Sequence, residues 1–562
     1  MGLFHQMVRG GQTNIHFISM LRQVVKVGFT LSFCFILIVL GVRTTQALPS
    51  FVWKPYGKAL ISELNFFESL KTSPALLYHN RPPVKKLIKH VHNTAQREFW
   101  TSLRFGAWFF VGVLIFWVAL GKHKNKATFH RGAKLTSVRR LRLGLFLKRK
   151  GSDMKLGPLP LVKGRETSHM LVSGTTGTGK TNLFNTLLPQ IRRRPNRAII
   201  VDLTGDYTSR FYDPSKDLLL NPFDARSQKW SPWCDWTTDY ECDQLTSAII
   251  PRGRTHQDPF WENGSKAILT AAMQKLKELN VCSTKRLHEI IAQVDLKAFE
   301  AFFQETHAAP YTDKEGEKMT LSLRATLANH LQAFKYLEDT GIKEGFSVRE
   351  WVRREENPDQ WLFITAMPDQ RESLRPFMSA WLEVALCALM SLPPCDRRRL
   401  WFVVDELPAL NQIPSLQMGL AEMRKYGGCV VAGIQSISQI NSLYPKNEAQ
   451  SILDLFNTYV FFRSNDPTTT QWISEVLGKT EETKVSENVS YGVNVIRDGV
   501  SLNNQRTTST LVMGTQIAGL KNLEAFVRLP ENFPVTCIKM PYKKTPRKET
   551  AFMPLSLPLQ EE

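Results

Sequence analysis

The segment from Gly174 to Thr181 constrains the fold more than any other part of the 562-residue chain. It follows the pattern Gly-x-x-x-x-Gly-Lys-Ser/Thr, which is typical of phosphate-binding loops. An apolar, strand-like run from Met170 to Val172 leads into it, and the residues after it have helical spacing. This strand–loop–helix context predicts an α/β domain that binds ATP or GTP. The loop consists of Gly174, Thr175, Thr176, Gly177, Thr178, Gly179, Lys180 and Thr181.

Each residue type in the loop has a physical role in holding phosphate. The glycines let the backbone turn so that its N–H groups point inward at the phosphates. The N-terminus of the following helix adds a favourable partial charge. We expect Lys180 to contact the β- and γ-phosphates and Thr181 to ligate Mg²⁺.

A second strand is expected to supply the acidic residues of the site. Leu400 to Val404 is a continuous apolar run, as a buried parallel strand should be, and it ends in Asp405 and Glu406. Asp405 is placed to hold Mg²⁺ through water, and Glu406 is placed to orient and polarise the attacking water. The alternative is a strand that merely ends in two surface acids.

Two further apolar runs predict strands of the same sheet. One is Arg197 to Asp202, and the other is Gly428 to Ile434, which is followed by Gln435. Ligands of α/β sheets bind at the carboxyl ends of the strands, so Gln435 is placed to sense the γ-phosphate. A capping or turn residue is the alternative interpretation of Gln435.

Two uncharged apolar runs near the N-terminus predict transmembrane helices at about 24–42 and 105–121. They extend from Val27 to Val42 and from Phe105 to Gly121, which is the short end of what crosses a bilayer. Buried core helices are the alternative, and the first run is also compatible with a cleaved signal peptide. Because a second apolar run follows, we favour an uncleaved anchor.

The charge distribution indicates the topology and the class of partner. Residues Lys122 to Lys150 include eleven Lys or Arg and no acidic residue, which is typical of a cytoplasmic flank. A nucleotide site must also face the compartment that holds ATP. We therefore expect the N-terminus and everything after Gly121 to be cytoplasmic, with the intervening loop outside. The net charge of +21 favours polyanionic partners, namely nucleic acid, anionic lipid headgroups or both. The alternative is that basic segments next to the membrane inflate the charge.

Several sequence elements occur in one order and together resemble the type IV coupling proteins of conjugation systems. The resemblance covers roughly residues 130–540. Besides the phosphate loop, its elements are Asp202-Leu203-Thr204-Gly205-Asp206-Tyr207, Asn221-Pro222-Phe223-Asp224, Asp258-Pro259-Phe260-Trp261, Val403-Val404-Asp405-Glu406-Leu407, Arg424-Lys425-Tyr426-Gly427 and Gly433-Ile434-Gln435-Ser436.

This resemblance implies a fold, an assembly and a set of partners. The fold is a RecA-like P-loop NTPase domain with an inserted all-α domain, preceded by two transmembrane helices. The assembly is a homo-hexamer in the bacterial inner membrane that hydrolyses ATP with Mg²⁺ at subunit interfaces. The partners are DNA, as the relaxase-bound single strand or as duplex, relaxosome proteins and components of a type IV secretion channel.

The resemblance also assigns roles to individual residues. Lys180 and Thr181 bind the nucleotide, while Asp405 and Glu406 bind metal and activate water. Arg424 corresponds to an arginine finger that reaches the neighbouring subunit, and Gln435 corresponds to the sensor glutamine. The chain departs from the family at Leu203-Thr204, where a Pro-Lys pair is common, so any role of that lysine is in question. It also lacks a long acidic tail.

The pattern of apolar runs predicts five segments. Residues 1–121 form the membrane anchor with a periplasmic loop, and residues 122–230 form the first part of the nucleotide-binding domain. Residues 231–348 have helical patterns and are flanked on both sides by strands, which predicts an inserted all-α domain. Residues 349–545 complete the nucleotide-binding domain, and residues 546–562 form a short tail.

Two other functions fit part of the pattern. The chain could be a non-motor receptor that recruits protein effectors to a type IV secretion channel, with ATP serving only assembly. The intact Asp405-Glu406 pair favours hydrolysis over that reading. A chromosome-pumping translocase of the FtsK kind would have more membrane spans and a C-terminal DNA-reading domain, which we do not recognise after Met540.

Overall fold

The computed structural model describes residues 3–47, 82–124, 128–250, 260–313, 316–339, 344–490 and 499–555. The chain forms two compact units. The membrane unit consists of Met1–Thr128 and Thr483–Thr507, and the sheet unit consists of Phe129–Glu482 and Thr508–Glu562.

Two long helices dominate the membrane unit. They are α1 (Leu3–Ala47) and α2 (Pro82–Lys124). Stretches of both are long and apolar enough to cross a membrane, namely Leu21–Ala47 and Lys89–Ala119. The helices extend well beyond the two uncharged runs of the sequence, because helical hydrogen bonding does not stop where charged side chains begin. The predicted periplasmic loop therefore loses residues to α2, and residues 48–81 lie outside the described part.

The sheet unit is built on a ten-stranded sheet of order β2-β15-β14-β11-β5-β10-β9-β6-β8-β7. The seven strands from β11 to β7 are parallel, whereas β14 is antiparallel to β11 and to β15. The strands in the described part of the chain are β1 (Thr128–Gly132), β2 (Leu135–Thr136), β3 (Gly151–Leu156), β4 (Leu159–Val162), β5 (Met170–Ser173), β6 (Arg197–Asp202), β7 (Leu218–Leu220), β8 (Trp361–Thr365), β9 (Leu400–Val404), β10 (Gly428–Ile434), β11 (Thr458–Phe461), β12 (Lys479–Ser490), β13 (Gly499–Thr510), β14 (Glu524–Arg528) and β15 (Val535–Lys539).

The central strands are buried along their whole length, as expected for a parallel sheet covered on both faces. The helices that cover or flank the sheet are α3 (Val138–Leu147), α4 (Lys180–Arg193), α5 (Asp206–Phe211), α13 (Arg371–Met390), α14 (Leu416–Glu422), α15 (Ile437–Leu443), α16 (Lys446–Asp454), α17 (Pro467–Leu477) and α18 (Gly514–Ala518). Helix α13 is apolar enough to cross a membrane, but 78% of its apolar window is buried inside the protein, so it is a core helix.

Between β7 and β8, the described residues form helices and connecting turns. The α-helices are α6 (Asp239–Ile249), α7 (Phe260–Glu278), α8 (Thr284–Ala292), α9 (Leu296–Phe303), α10 (Ala309–Thr312), α11 (Glu317–His330) and α12 (Val348–Arg353). Buried Asp235, at the start of this segment, accepts hydrogen bonds from Ser347 Oγ at 2.7 Å and Arg349 N at 2.9 Å, near its end. These bonds hold the two ends of the insertion together. The α/β fold with an inserted helical segment is the class that the sequence predicts.

The last described residues of the chain pack against the rest of the sheet unit. After β15, residues 541–555, which we call the strap, follow helices α4 and α5 and reach the loop after β7. Lys548 N donates to Ser209 O at 2.7 Å, and Leu555 N donates to Phe223 O at 3.1 Å. The strap therefore belongs to the folded unit.

Candidate functional site

The phosphate loop lies between β5 and α4 and is held by the ends of the two strands beside β5. Gly174 N donates to Ile434 O at 3.2 Å, at the end of β10. Thr175 N donates to Arg463 O at 3.0 Å, just beyond β11. Thr178 Oγ1 closes the loop by donating to Thr175 O at 2.6 Å. These contacts shape the loop, while Thr176 and Gly177 are exposed at its tip.

Two glycines of this loop have backbone conformations that other residues rarely adopt. Gly177 has φ +76° and Gly179 has φ +126°. At Gly174 the reason is space, because a Cβ there would lie 2.6 Å from the Cβ of Phe462. The loop therefore needs glycine for its turn at two positions and for close packing at a third.

Lys180, Glu406 and Gln435 meet because β10 lies between β5 and β9. Lys180 Nζ lies 3.3 Å from both Glu406 Oε2 and Ile434 O. Gln435 Nε2 donates to the same Glu406 oxygen at 2.9 Å. The other carboxylate oxygen of Glu406, Oε1, is buried and has no hydrogen-bond partner among the described residues. Glu406 thus has one oxygen held by two donors and one oxygen free to accept a proton.

Asp405 sits in a different environment from its neighbour. Tyr207 donates its hydroxyl hydrogen to Asp405 Oδ2 at 2.9 Å and also interacts with the Thr181 hydroxyl. Burial raises the pKa of the Asp405 carboxyl to about 6, although the Tyr207 bond and the Lys180 charge oppose that rise. Burial likewise raises the pKa of Tyr207 well above its usual value, so this side chain stays a donor.

Tyr207 stands in one of the sequence motifs, and no role was predicted for it from the sequence. Tyr207 lies on α5, and its helix is placed by buried Asp202, which accepts hydrogen bonds from Thr208 N at 2.7 Å and Thr208 Oγ1 at 2.8 Å. Gly205, with φ +73°, makes the turn between the two. The sequence did contain a signal for this role of Tyr207. The spacing Asp-x-x-Gly-Asp-Tyr puts the Tyr207 hydroxyl a fixed distance beyond the end of β6.

The residues around Asp405 fit a magnesium ion with few protein ligands. The described residues contain no group of three or more His, Cys, Asp or Glu side chains close enough to form a metal cage. Mg²⁺ usually retains several waters and is bound by one or two protein oxygens together with substrate phosphates. The Asp405 carboxylate and the Thr181 hydroxyl, bridged by Tyr207, are a donor set of that kind.

Arg424 lies apart from the other predicted residues. It is exposed and precedes β10, whereas Gln435 follows that strand. Seven strand residues at about 3.3 Å each separate the two positions by about 20 Å. Arg424 therefore lies at the amino ends of the parallel strands, whereas Lys180 of the same chain lies beyond their carboxyl ends.

Comparison with known proteins gives consistent matches over the sheet unit. The family model described as "Type IV secretion-system coupling protein DNA-binding domain" matches residues 153–541. The coupling protein TraD of Escherichia coli (strain K12) is 34% identical over 410 residues, which are 72% of this chain and 57% of TraD.

Solved structures of the bacterial conjugative coupling protein TrwB have the same fold. Unbound TrwBdeltaN70 is 30% identical with a TM-score of 0.68, and the match covers 76% of this chain and 96% of that one. TrwB in complex with ADP and Mg²⁺ is 29% identical with a TM-score of 0.67, covering 76% and 98%. The predicted fold, a RecA-like domain with an inserted helical domain, is confirmed.

Proposed function

The chain belongs to the type IV secretion-system coupling proteins, and we propose that it is an ATP-hydrolysing inner-membrane motor of bacterial conjugation. In this proposal it links a relaxase–DNA complex to a type IV secretion channel and drives DNA transfer. The observation that carries the proposal is the Glu406 carboxylate, which has one oxygen fixed by Lys180 and Gln435 and the other without a hydrogen-bond partner among the residues that the structure describes.

Hydrolysis would begin with an exchange of partners at Lys180. In the structure, its ammonium pairs with Glu406. The γ-phosphate of ATP would draw Lys180 away, and Glu406 would then be free to accept a proton from the attacking water. Gln435 would keep the carboxylate oriented meanwhile. Thr181 and Asp405 are the residues that would hold Mg²⁺, which neutralises charge on the phosphates. TrwB in complex with ADP and Mg²⁺ supports this assignment.

Arg424 would act on the site of a neighbouring subunit in a homo-hexamer. Its position, about 20 Å from Gln435 along β10, argues against a role within its own chain. A finger that reaches across an interface must be exposed on its own subunit, as Arg424 is. The nineteen-residue spacing after Asp405 supports the same role.

The anchor would be multi-pass, with the N-terminus and the sheet unit in the cytoplasm. Two candidate spans support two crossings. Eleven basic residues and no acidic ones between Lys122 and Lys150 support a cytoplasmic position for the chain after α2. The net charge of +21 suits a DNA backbone as substrate.

The test is ATP hydrolysis by the full chain in detergent, with and without DNA at low salt. We expect DNA to stimulate hydrolysis, and we expect Lys180→Ala to abolish it. Lys297→Ala, an exposed lysine on α9, is the matched control and should behave as wild type. Hydrolysis without any response to single- or double-stranded DNA would contradict the motor and favour a receptor for protein effectors.

A second test uses cells. In a donor strain that depends on this protein for conjugation, Lys180→Ala should abolish plasmid transfer while the protein still fractionates with the inner membrane. Transfer at the wild-type frequency would show that the phosphate loop is not used.

A further inference from the structure

Helix α3 has one face in the core and one face exposed. Leu141 and Leu145 are buried against β4 and β15. On the opposite face, Leu143, Phe146 and Leu147 are 56%, 76% and 70% exposed. Their spacing of three and four residues puts them side by side on the helix surface. A soluble surface rarely carries three large apolar side chains in one patch unless the patch binds something.

The same exposed face is strongly basic. Arg139, Arg140 and Arg142 are exposed and have no salt bridge to a described residue. The stretch from Lys122 to Lys150 that contains them has no acidic residue. The face therefore combines apolar side chains with arginines that no acidic side chain in the described part of the chain pairs with.

This combination fits an anionic lipid surface better than DNA or another protein. Leucine and phenylalanine side chains bury at the boundary between headgroups and acyl chains, and arginines reach outward to lipid phosphates. A DNA backbone would pair with the arginines but would leave the three apolar side chains in water. A protein partner would need matching acidic and apolar surface, for which nothing in the described chain argues.

Chain connectivity tethers α3 to a candidate membrane span. The candidate span Lys89–Ala119 ends nineteen residues before Val138, the first residue of α3. Basic clusters that directly follow a transmembrane helix are typical sites of anionic lipid binding. A helix tethered this way meets the bilayer at a high effective concentration.

We propose that α3 is an interfacial helix that docks on the anionic membrane surface, with Leu143, Phe146 and Leu147 inserted among the lipids and Arg139, Arg140 and Arg142 paired with their phosphates. This lipid contact is separate from the two spans and from the nucleotide site. It goes beyond the proposed motor function and does not depend on it.

The test is photo-crosslinking of the full chain in vesicles. A benzophenone amino acid replaces Phe146, and a control chain carries it at Leu321, an exposed leucine of the helical insertion. The vesicles contain phosphatidylcholine with or without phosphatidylglycerol, and one lipid carries a labelled acyl chain. We expect labelled lipid on the Phe146 position, more of it with phosphatidylglycerol, and background at Leu321.

A second variant separates the charge contribution from folding. Changing Arg139, Arg140 and Arg142 together to Gln should lower lipid labelling at position 146 roughly tenfold or more in phosphatidylglycerol vesicles. Melting temperature in detergent should not change, since the three side chains are exposed. Labelling at position 146 equal to that at 321 would overturn the proposal. Crosslinks to a second copy of the chain instead of lipid would also overturn it and would assign the face to a subunit interface.

Discussion

At the scale of single residues, two adjacent carboxylates at the end of β9 acquire different properties. Successive side chains of an extended segment point in opposite directions, so Asp405 turns toward Tyr207 and Glu406 toward Lys180. The sequence could predict that both lie at the site, because an apolar strand ending in two acids is a simple pattern. It could not predict Tyr207, because the pairing of an aromatic hydroxyl with a distant strand depends on how α5 packs.

We predict that Tyr207→Phe weakens the use of Mg²⁺. The variant loses the hydrogen bond that lowers the pKa of Asp405, so that pKa rises above about 6 and more of the carboxyl is protonated at neutral pH. Loss of such a supporting contact typically changes metal affinity about 10–100-fold. The half-saturating Mg²⁺ concentration for ATP hydrolysis measures it. Tyr212→Phe is the control, and an unchanged Mg²⁺ requirement in Tyr207→Phe would refute the assignment.

Glu241 provides a pH-dependent contribution to stability. Burial alone would raise its pKa, yet hydrogen bonds from Thr237 and the charge of Arg349 outweigh burial and hold the pKa at about 2. A carboxyl whose pKa is depressed in the folded state stabilises the fold above its ordinary value of 4.5. That stabilisation is lost as the pH falls from about 4.5 through about 2.

Glu241→Gln should therefore destabilise the protein at neutral pH by about 3 kcal/mol, from the size of the pKa shift. Its melting temperature should fall less than that of wild type between pH 4.5 and pH 2. Glu289→Gln, which removes an exposed ion pair with Arg286, should have almost no effect. Parallel curves for Glu241→Gln and wild type over this range would show that the carboxyl contributes no linked stability.

At the scale of elements, the parallel strands were predictable and the other strands were not. Strands β6, β9 and β10 are continuous apolar runs because both faces of the sheet are covered. Strands β12 and β13 are rich in Thr, Ser and Asn and show no apolar alternation, so the sequence gives no signal for them. Helix α13 shows a different limit of sequence patterns. Its apolar composition fits a membrane span as well as a core helix, because burial in a large core and burial in lipid select the same side chains.

Gly433 fixes the distance between β10 and the end of β9. A Cβ at this position would lie 1.8 Å from the carbonyl oxygen of Asp405. We predict that Gly433→Ala pushes the two strands apart, displaces Asp405 and Glu406, and lowers ATP hydrolysis at least about tenfold, with a loss of about 1–3 kcal/mol in stability.

Gly419→Ala on α14 is the matched control for this prediction. Its added Cβ would lie 3.3 Å from the flexible end of Met423 and at ordinary contact distance, 3.7 Å or more, from the methyl groups of Leu386. Hydrolysis rates and melting temperatures of the two variants, measured side by side, test the idea. If Gly433→Ala hydrolyses ATP at the wild-type rate, the contact between strands does not control the catalytic carboxylates.

At the scale of the whole molecule, the proposed finger role of Arg424 would make a single chain incomplete as a catalyst. The sequence could place Arg424 in a motif but could not show that the sheet separates it from Lys180. That separation follows from strand direction. Arg424 lies at the amino ends of the parallel strands, whereas Lys180 follows their carboxyl ends. The predicted hexamer would supply the missing residue from the next subunit.

We predict that mixing Arg424→Ala protein with Glu406→Gln protein partly restores ATP hydrolysis, although each variant alone is inactive. In a mixed ring, some interfaces pair an intact Glu406 with an intact Arg424. An arginine finger contributes about 10³–10⁵-fold to hydrolysis, so even a few such interfaces are measurable. A mixture of Lys180→Ala and Glu406→Gln is the control and should stay inactive, since both changes fall in one subunit's site. Absence of rescue at every ratio would place the action of Arg424 within its own subunit.

The order of strands in the large sheet also bears on how the protein is made. Met170 of β5 pairs with Val431 of β10, which is 261 residues later, and β2 pairs with β15, which is 400 residues later, as in Leu135 with Val535. Helices α1 and α2 leave the ribosome long before these partners exist. A chain under synthesis is thus held at the membrane while its core strands are still unpaired, and such strands aggregate readily. We expect the yield of folded protein to depend on chaperones and on the rate of translation more than on the rate of transcription.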